Sequence, residues 1–117
     1  MKAIKDMPEN GKFVVLFKSD HCPHCKTMER VLKQVEKKGL NKDIEFYSIN
    51  ISKQQSVAEK YNVRSVPLTV FINGKKVVGQ ELGAVSAKAV EMQLEDLKKD
   101  GELIKSVKRL LGGVFRL

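Results

Sequence analysis

Apolar residues along the chain fall into unbroken runs and helical stripes, and the order of the two predicts the architecture. Phe13-Val14-Val15-Leu16-Phe17 is an unbroken run of aliphatic and aromatic residues, the pattern of a strand buried on both faces in the middle of a parallel sheet. Met28, Val31, Leu32 and Val35 then recur at helical spacing among charged residues, with Gly39 as terminator. Residues 44–51 (Ile-Glu-Phe-Tyr-Ser-Ile-Asn-Ile) predict a second strand. Ser52 is expected to cap a short helix running to about Tyr61, with Val57 and Ala58 facing inward. Val66-Pro67-Leu68-Thr69-Val70-Phe71-Ile72 predicts a third strand opening with a proline, which suits a strand start or an edge. Asn73-Gly74 predicts a two-residue hairpin turn, and Lys76 to Glu81 return antiparallel. Ser86 is placed to cap a last helix with Val90, Leu94 and Leu97 on one face. The order β-α-β-α-β-β-α predicts an α/β fold, a central mixed sheet of about four strands flanked by helices. Phe13, Phe17, Phe46 and Phe71 each lie within a strand run and are expected in its core.

Composition narrows this picture. The chain has 117 residues, which suits one domain. Its 22 Lys and Arg against 14 Asp and Glu give a net charge of +8. The basic residues are dispersed, and no RNA-binding aromatic motif, zinc-finger spacing or helix-turn-helix pattern accompanies them, so a solvated basic surface is expected and no nucleic-acid partner. No apolar run approaches the roughly 18 residues of a membrane span. No apolar stretch follows the first lysines, so a cytoplasmic location is expected, or an extracytoplasmic one if the chain is a trimmed form. Residues 1–100 are expected to form the domain and residues 101–117 an amphipathic helical extension. Leu103, Ile104, Val107, Leu110 and Leu111 share one face of that extension; Lys105, Lys108 and Arg109 take the other. Packing on sheet surface left bare by a short N-terminal region is the economical expectation. A dimer or partner surface, and a helix lying on a membrane, are the alternatives, the last not favoured. A monomer or weak dimer follows.

The chemistry concentrates at His21-Cys22-Pro23-His24-Cys25, where the first strand gives way to the first helix. Pro23 suits a first helical turn, where its missing N–H has no helical partner. Two cysteines three apart at a helix N-terminus can close a small disulfide ring, and the helix dipole with its free N–H groups favours negative charge on the first sulfur. Cys22 is expected to be the attacking thiolate and Cys25 the thiol that resolves the mixed disulfide. His24 can stabilise the thiolate, and Lys26 adds a nearby cation. A zinc site has too few ligands, since adjacent His21 and Cys22 project poorly onto one tetrahedral centre and no second pair exists. Haem attachment requires a histidine where Lys26 stands. Two inert buried cysteines are the blander alternative. His21 is expected to flank the site at the surface.

At these residues the sequence resembles the thioredoxin superfamily over about residues 10–100. The Cys-x-x-Cys helix, Tyr61-Asn62-Val63-Arg64-Ser65-Val66-Pro67, Asn73-Gly74 and Gly83-Ala84-Val85-Ser86 stand where thioredoxins have their counterparts. The resemblance implies a thiol–disulfide oxidoreductase, with protein thiols or disulfides and a redox-recycling protein as partners and no metal, flavin or nucleotide cofactor. It also implies that Pro67 is a cis-proline lying against the active disulfide, with the Val66 backbone exposed to a substrate segment alongside Pro23. Leu16 stands where thioredoxins carry a buried aspartate, Ser48 where its lysine partner would be, and Lys18 replaces an aromatic residue. The Cys-Pro-His-Cys sequence with valine before the proline instead looks like DsbA-type oxidases, although the chain lacks residues for their helical insertion. A couple more oxidising than a typical thioredoxin is therefore expected. A non-catalytic thioredoxin-fold peptide-binding or chaperone module is the alternative.

Overall fold

The apolar run expected at the centre of the sheet is central. In the computed structural model, which describes residues 1–39 and 42–100, the chain runs β1 (Lys2–Ala3), β2 (Lys12–Lys18), α1 (Pro23–Lys37), β3 (Ile44–Asn50), α2 (Gln55–Lys60), β4 (Leu68–Asn73), β5 (Lys76–Leu82) and α3 (Ala87–Lys99). The strands lie in the order β1-β3-β2-β4-β5. β2 pairs parallel with β3 and antiparallel with β4, and Phe13 to Phe17 are each no more than 2% exposed.

Alternation along β2 divides the core between the two faces of the sheet. Val14 and Leu16 meet Met28, Leu32 and Val35 of α1 and Val90, Leu94 and Leu97 of α3. Phe13, Val15 and Phe17 meet Ile49, Val57 and Val70 on the other face. The four phenylalanines expected in the core are all buried. The inward stripe of α1 is what anchors the cysteine-bearing turn, since burying each such side chain contributes about 1.5–3 kcal/mol.

Four sequence expectations need correction. The sheet has five strands rather than about four, because Lys2 and Ala3 pair parallel with Tyr47 and Ser48; two exposed residues carry no readable alternation. Ser52 does not cap α2. Gln54 holds that position without a side-chain hydrogen bond, while the Ser52 hydroxyl accepts from the Asp20 N–H at 3.1 Å. The hairpin turns on Gly74-Lys75, not Asn73-Gly74, for Asn73 still pairs with Lys76. Gly74 has φ +65° at the first turn position, the place where a primed turn needs glycine. β4 begins at Leu68, one residue after Pro67. The extension expected over 101–117 lies outside the described residues.

Candidate functional site

Pro23 opens α1 as its first helical residue, and Cys22 is the N-cap, in extended conformation at φ −113° and ψ 100°. His21, just before it, has φ +57°, a left-handed conformation uncommon outside glycine that turns β2 sharply into the helix. The turn presents the two sulfurs unequally. Cys22 is partly exposed and Cys25 is 2% exposed, on the inward stripe with Met28 and Leu32. The two are joined by a disulfide, and the Cys25 N–H donates to Cys22 Sγ at 3.2 Å. α1 has no acidic residue in its first turn, so nothing there offsets the positive end of the helix dipole.

Three further segments converge on this end of the sheet. In the β3–α2 loop, Asn50 Nδ2 donates to Asp20 Oδ1 at 2.9 Å and the Ser52 N–H donates to Asn50 Oδ1 at 2.9 Å, which ties the loop to the segment preceding Cys22. Register places Leu68 opposite Phe17, so Pro67 lies level with the end of β2 where the chain turns toward Cys22. The Val66–Pro67 bond is cis. Pro67 is buried and Val66 partly so. The Gly83 N–H donates to the Pro67 carbonyl at 2.8 Å, and the Val85 N–H to Met28 Sδ at 3.5 Å, so the loop after β5 bridges Pro67 to α1.

A cleft of about 200 Å³ lies at the couple, lined by Lys18, Asp20, Cys22, Cys25 and Glu29 among others. His21 also lines it; His24 and Pro23 are exposed on the first turn and do not. Lys18 and Glu29 were missed as site residues in the sequence. The available signal was an acid four residues after Cys25, interrupting the inward stripe of α1. A larger groove of about 420 Å³, between Phe13, Tyr61, Ile72 and Val77, contains no cysteine. Leu16 is fully buried and sits in register with buried Ser48, so the position of the thioredoxin aspartate carries no ionisable group.

The sequence matches the Thioredoxin family profile over residues 2–96, from β1 into α3. Thioredoxin H5 of Arabidopsis thaliana is 30% identical over 104 residues, covering 88% of this chain and 83% of the relative. A thioredoxin of Buchnera aphidicola from Schizaphis graminum is 29% identical, covering 79% and 82%. Among solved structures, Malassezia sympodialis thioredoxin superposes with a TM-score of 0.73 at 18% identity, covering 82% of this chain and 90% of that one. Reduced Schistosoma mansoni thioredoxin gives 0.67 at 26% identity, covering 80% and 95%. With a vicinal cysteine couple at the head of α1 and a match running through every strand, the chain belongs to the thioredoxin family and is a thiol–disulfide oxidoreductase.

Proposed function

We propose that the Cys22–Cys25 couple is more oxidising than that of a typical thioredoxin and exchanges disulfides with protein substrates laid along Val66 and Pro67. The observation that carries this reading is the hydrogen bond from the Cys25 N–H to Cys22 Sγ at 3.2 Å, at a helix start free of acidic side chains. In the reduced protein the same N–H and the helix dipole stabilise a Cys22 thiolate. Lys26, which lines the cleft, acts in the same direction, as does the cationic form of exposed His24 on the first turn. Asp20 acts against it, with its carboxylate engaged by Asn50. Each pKa unit by which the thiolate is stabilised favours the dithiol over the disulfide by about 1.4 kcal/mol when the pH exceeds both values. A disulfide that is easier to reduce is the better oxidant.

The exposure difference assigns the steps. A substrate thiolate attacks Cys22, the sulfur within reach, and Cys25 leaves; the substrate's second thiolate then attacks its own sulfur in the mixed disulfide, leaving substrate oxidised and the couple reduced. In the reverse direction Cys22 attacks and Cys25 resolves. Val66 suits substrate binding because its backbone N–H and carbonyl have no backbone partner among the described residues, while the Pro67 carbonyl is already taken by Gly83. An extended substrate segment can pair with the free groups as a strand pairs with a sheet edge. A redox-recycling protein would use the same surface.

Titrating the thiolate absorbance of the reduced protein, with Cys25→Ser to isolate Cys22, tests the reading. The expected value lies well below that of a free thiol. A Cys22 pKa of about 8 or higher, close to an unperturbed thiol, refutes the oxidising bias.

A further inference from the structure

Resolution by Cys25 needs a base, and the cleft contains one that the family pattern does not assign. Cys25 is 2% exposed, and burial disfavours its thiolate. The aspartate position beneath the couple is Leu16, paired in register with Ser48. Two carboxylates line the cleft, Asp20 and Glu29. Asp20 is exposed, lies in the loop before Cys22, and has Oδ1 taken by Asn50. Glu29 follows Cys25 by four residues on α1, where Cβ atoms stand about 5–6 Å apart on one face. Its side chain is 24% exposed and borders the inward stripe of Cys25, Met28 and Leu32.

Lys18 holds that carboxylate from the opposite wall, its Nζ 3.3 Å from Oε1 and 3.2 Å from Oε2. Lys33 Nζ lies 3.5 Å from Oε1 on the outer side. We propose that Glu29, positioned by Lys18, takes the proton of Cys25 during the resolving step. The Cys25 S–H proton passes to a Glu29 oxygen, directly or through one cleft water. The Cys25 thiolate attacks Cys22 Sγ, the Cys22–Cys25 bond forms, and the mixed disulfide breaks, with the bonding pair leaving on the partner's sulfur as thiolate. The two electrons lost by the couple are those the partner gains. As the proton moves, negative charge transfers from carboxylate to sulfur within a cleft that Lys18 also lines, so the net charge of the cleft does not change. A general base in solution lacks that compensation. As a stability device alone, a partly exposed pair of this kind contributes little. The assignment holds whichever way the couple is poised, because both steps of exchange are timed separately.

Reduced protein mixed with equimolar 5,5′-dithiobis(2-nitrobenzoate) releases one thionitrobenzoate when Cys22 attacks and a second when Cys25 resolves. Glu29→Gln is expected to slow the second release by about a hundredfold near neutrality, the lower end of what a positioned base contributes. The first release is expected to keep its rate. The second should then rise with hydroxide until it meets the wild type in alkali, and Glu29→Asp should recover part of the loss. A second release with wild-type rate and pH profile in Glu29→Gln overturns the proposal. So does an equal slowing of both releases at every pH, the result of structural damage alone. If Glu29→Gln does not fold, Lys18→Met keeps the carboxylate and should shift the pH profile of the second release only; an unshifted profile overturns the proposal equally.

Discussion

Helices α1 and α3 begin with the same local construction and do different work. At α1 the Cys22 sulfur accepts the N–H of Cys25 at 3.2 Å; at α3 the Ser86 oxygen accepts the N–H of Ala89 at 3.2 Å. Both N-caps are extended, and neither helix has an acidic residue in its first turn. Each helix therefore turns the same positive end toward a side-chain atom of the same chemical group. A serine hydroxyl does not ionise in water's ordinary pH range, so at α3 the contact ends as a cap. A thiol does ionise, so at α1 the same field biases reactivity. The third helical position completes the difference, a second cysteine in α1 and an alanine in α3. Capping geometry supplies the field; the atoms placed in it decide whether there is chemistry.

Exchanging those atoms has the largest expected effect. Cys22→Ser gives α1 the cap that α3 already has. Disulfide exchange should fall to the uncatalysed rate, while the helix and the melting behaviour persist, since serine is among the best N-caps. Insulin reduction and oxidative refolding measure the first, circular dichroism the second. Cys25→Ser should accumulate mixed disulfides detectable by mass. Exchange at wild-type rate in both variants would return the chain to a peptide-binding module.

That contrast also marks how far the sequence was legible. Phe13 to Phe17 and the stripe through Met28, Leu32 and Val35 were readable because burial imposes a period on them, and both are buried as the pattern requires. Ser86 was readable as a cap because its partner is three residues away. Ser52 offered the same signal and misled. Its hydroxyl is drawn to Asp20, 32 residues distant, and long-range partners leave no local trace. β1 was missed for a related reason, as two exposed residues owe their strand state to β3 alone. At the site, the pairing of Cys22 with Cys25 and the cis bond before Pro67 were legible from spacing and resemblance. The Lys18–Glu29 pair was not, because its members are 11 residues apart on different elements.

If α3 is purely a packing element, its substitutions should move stability and leave exchange alone. Leu94→Ala removes a side chain 1% exposed beneath the sheet and should cost about 2–5 kcal/mol. Urea denaturation measures the loss, and the exchange rate per folded molecule should not change. Ser86→Ala should cost less, about 1 kcal/mol, the usual effect of losing one N-cap bond. A Ser86→Ala variant with a shifted Cys22 pKa would show that the two helix starts are coupled, whereas independent starts leave it unshifted.

The smallest effect is expected at the far end of α3. Lys37 closes α1, with Gly39 at φ +67° just beyond, whereas α3 stops at an acid, Asp100. A carboxylate there opposes the helix dipole, and the hairpin offsets this. Asn73 Nδ2 donates to Oδ2 at 2.8 Å and Lys76 Nζ lies 3.1 Å from Oδ1. The Asn73 hydrogen bond first, then the Lys76 hydrogen bond and charge, hold the Asp100 carboxyl below its ordinary value. A group whose folded value is depressed stabilises above its unfolded value, about 3.9 for aspartate, and loses that contribution as pH falls through the folded one. Asp100→Asn should therefore destabilise by under about 1 kcal/mol near neutrality, the scale of a surface pair. The gap between variant and wild type should stay constant on acidification until roughly pH 4, then close below it. Urea denaturation across that range measures it. A gap that widens in acid would mean the carboxylate is repelled rather than held, and that α3 ends against its dipole without help from the hairpin.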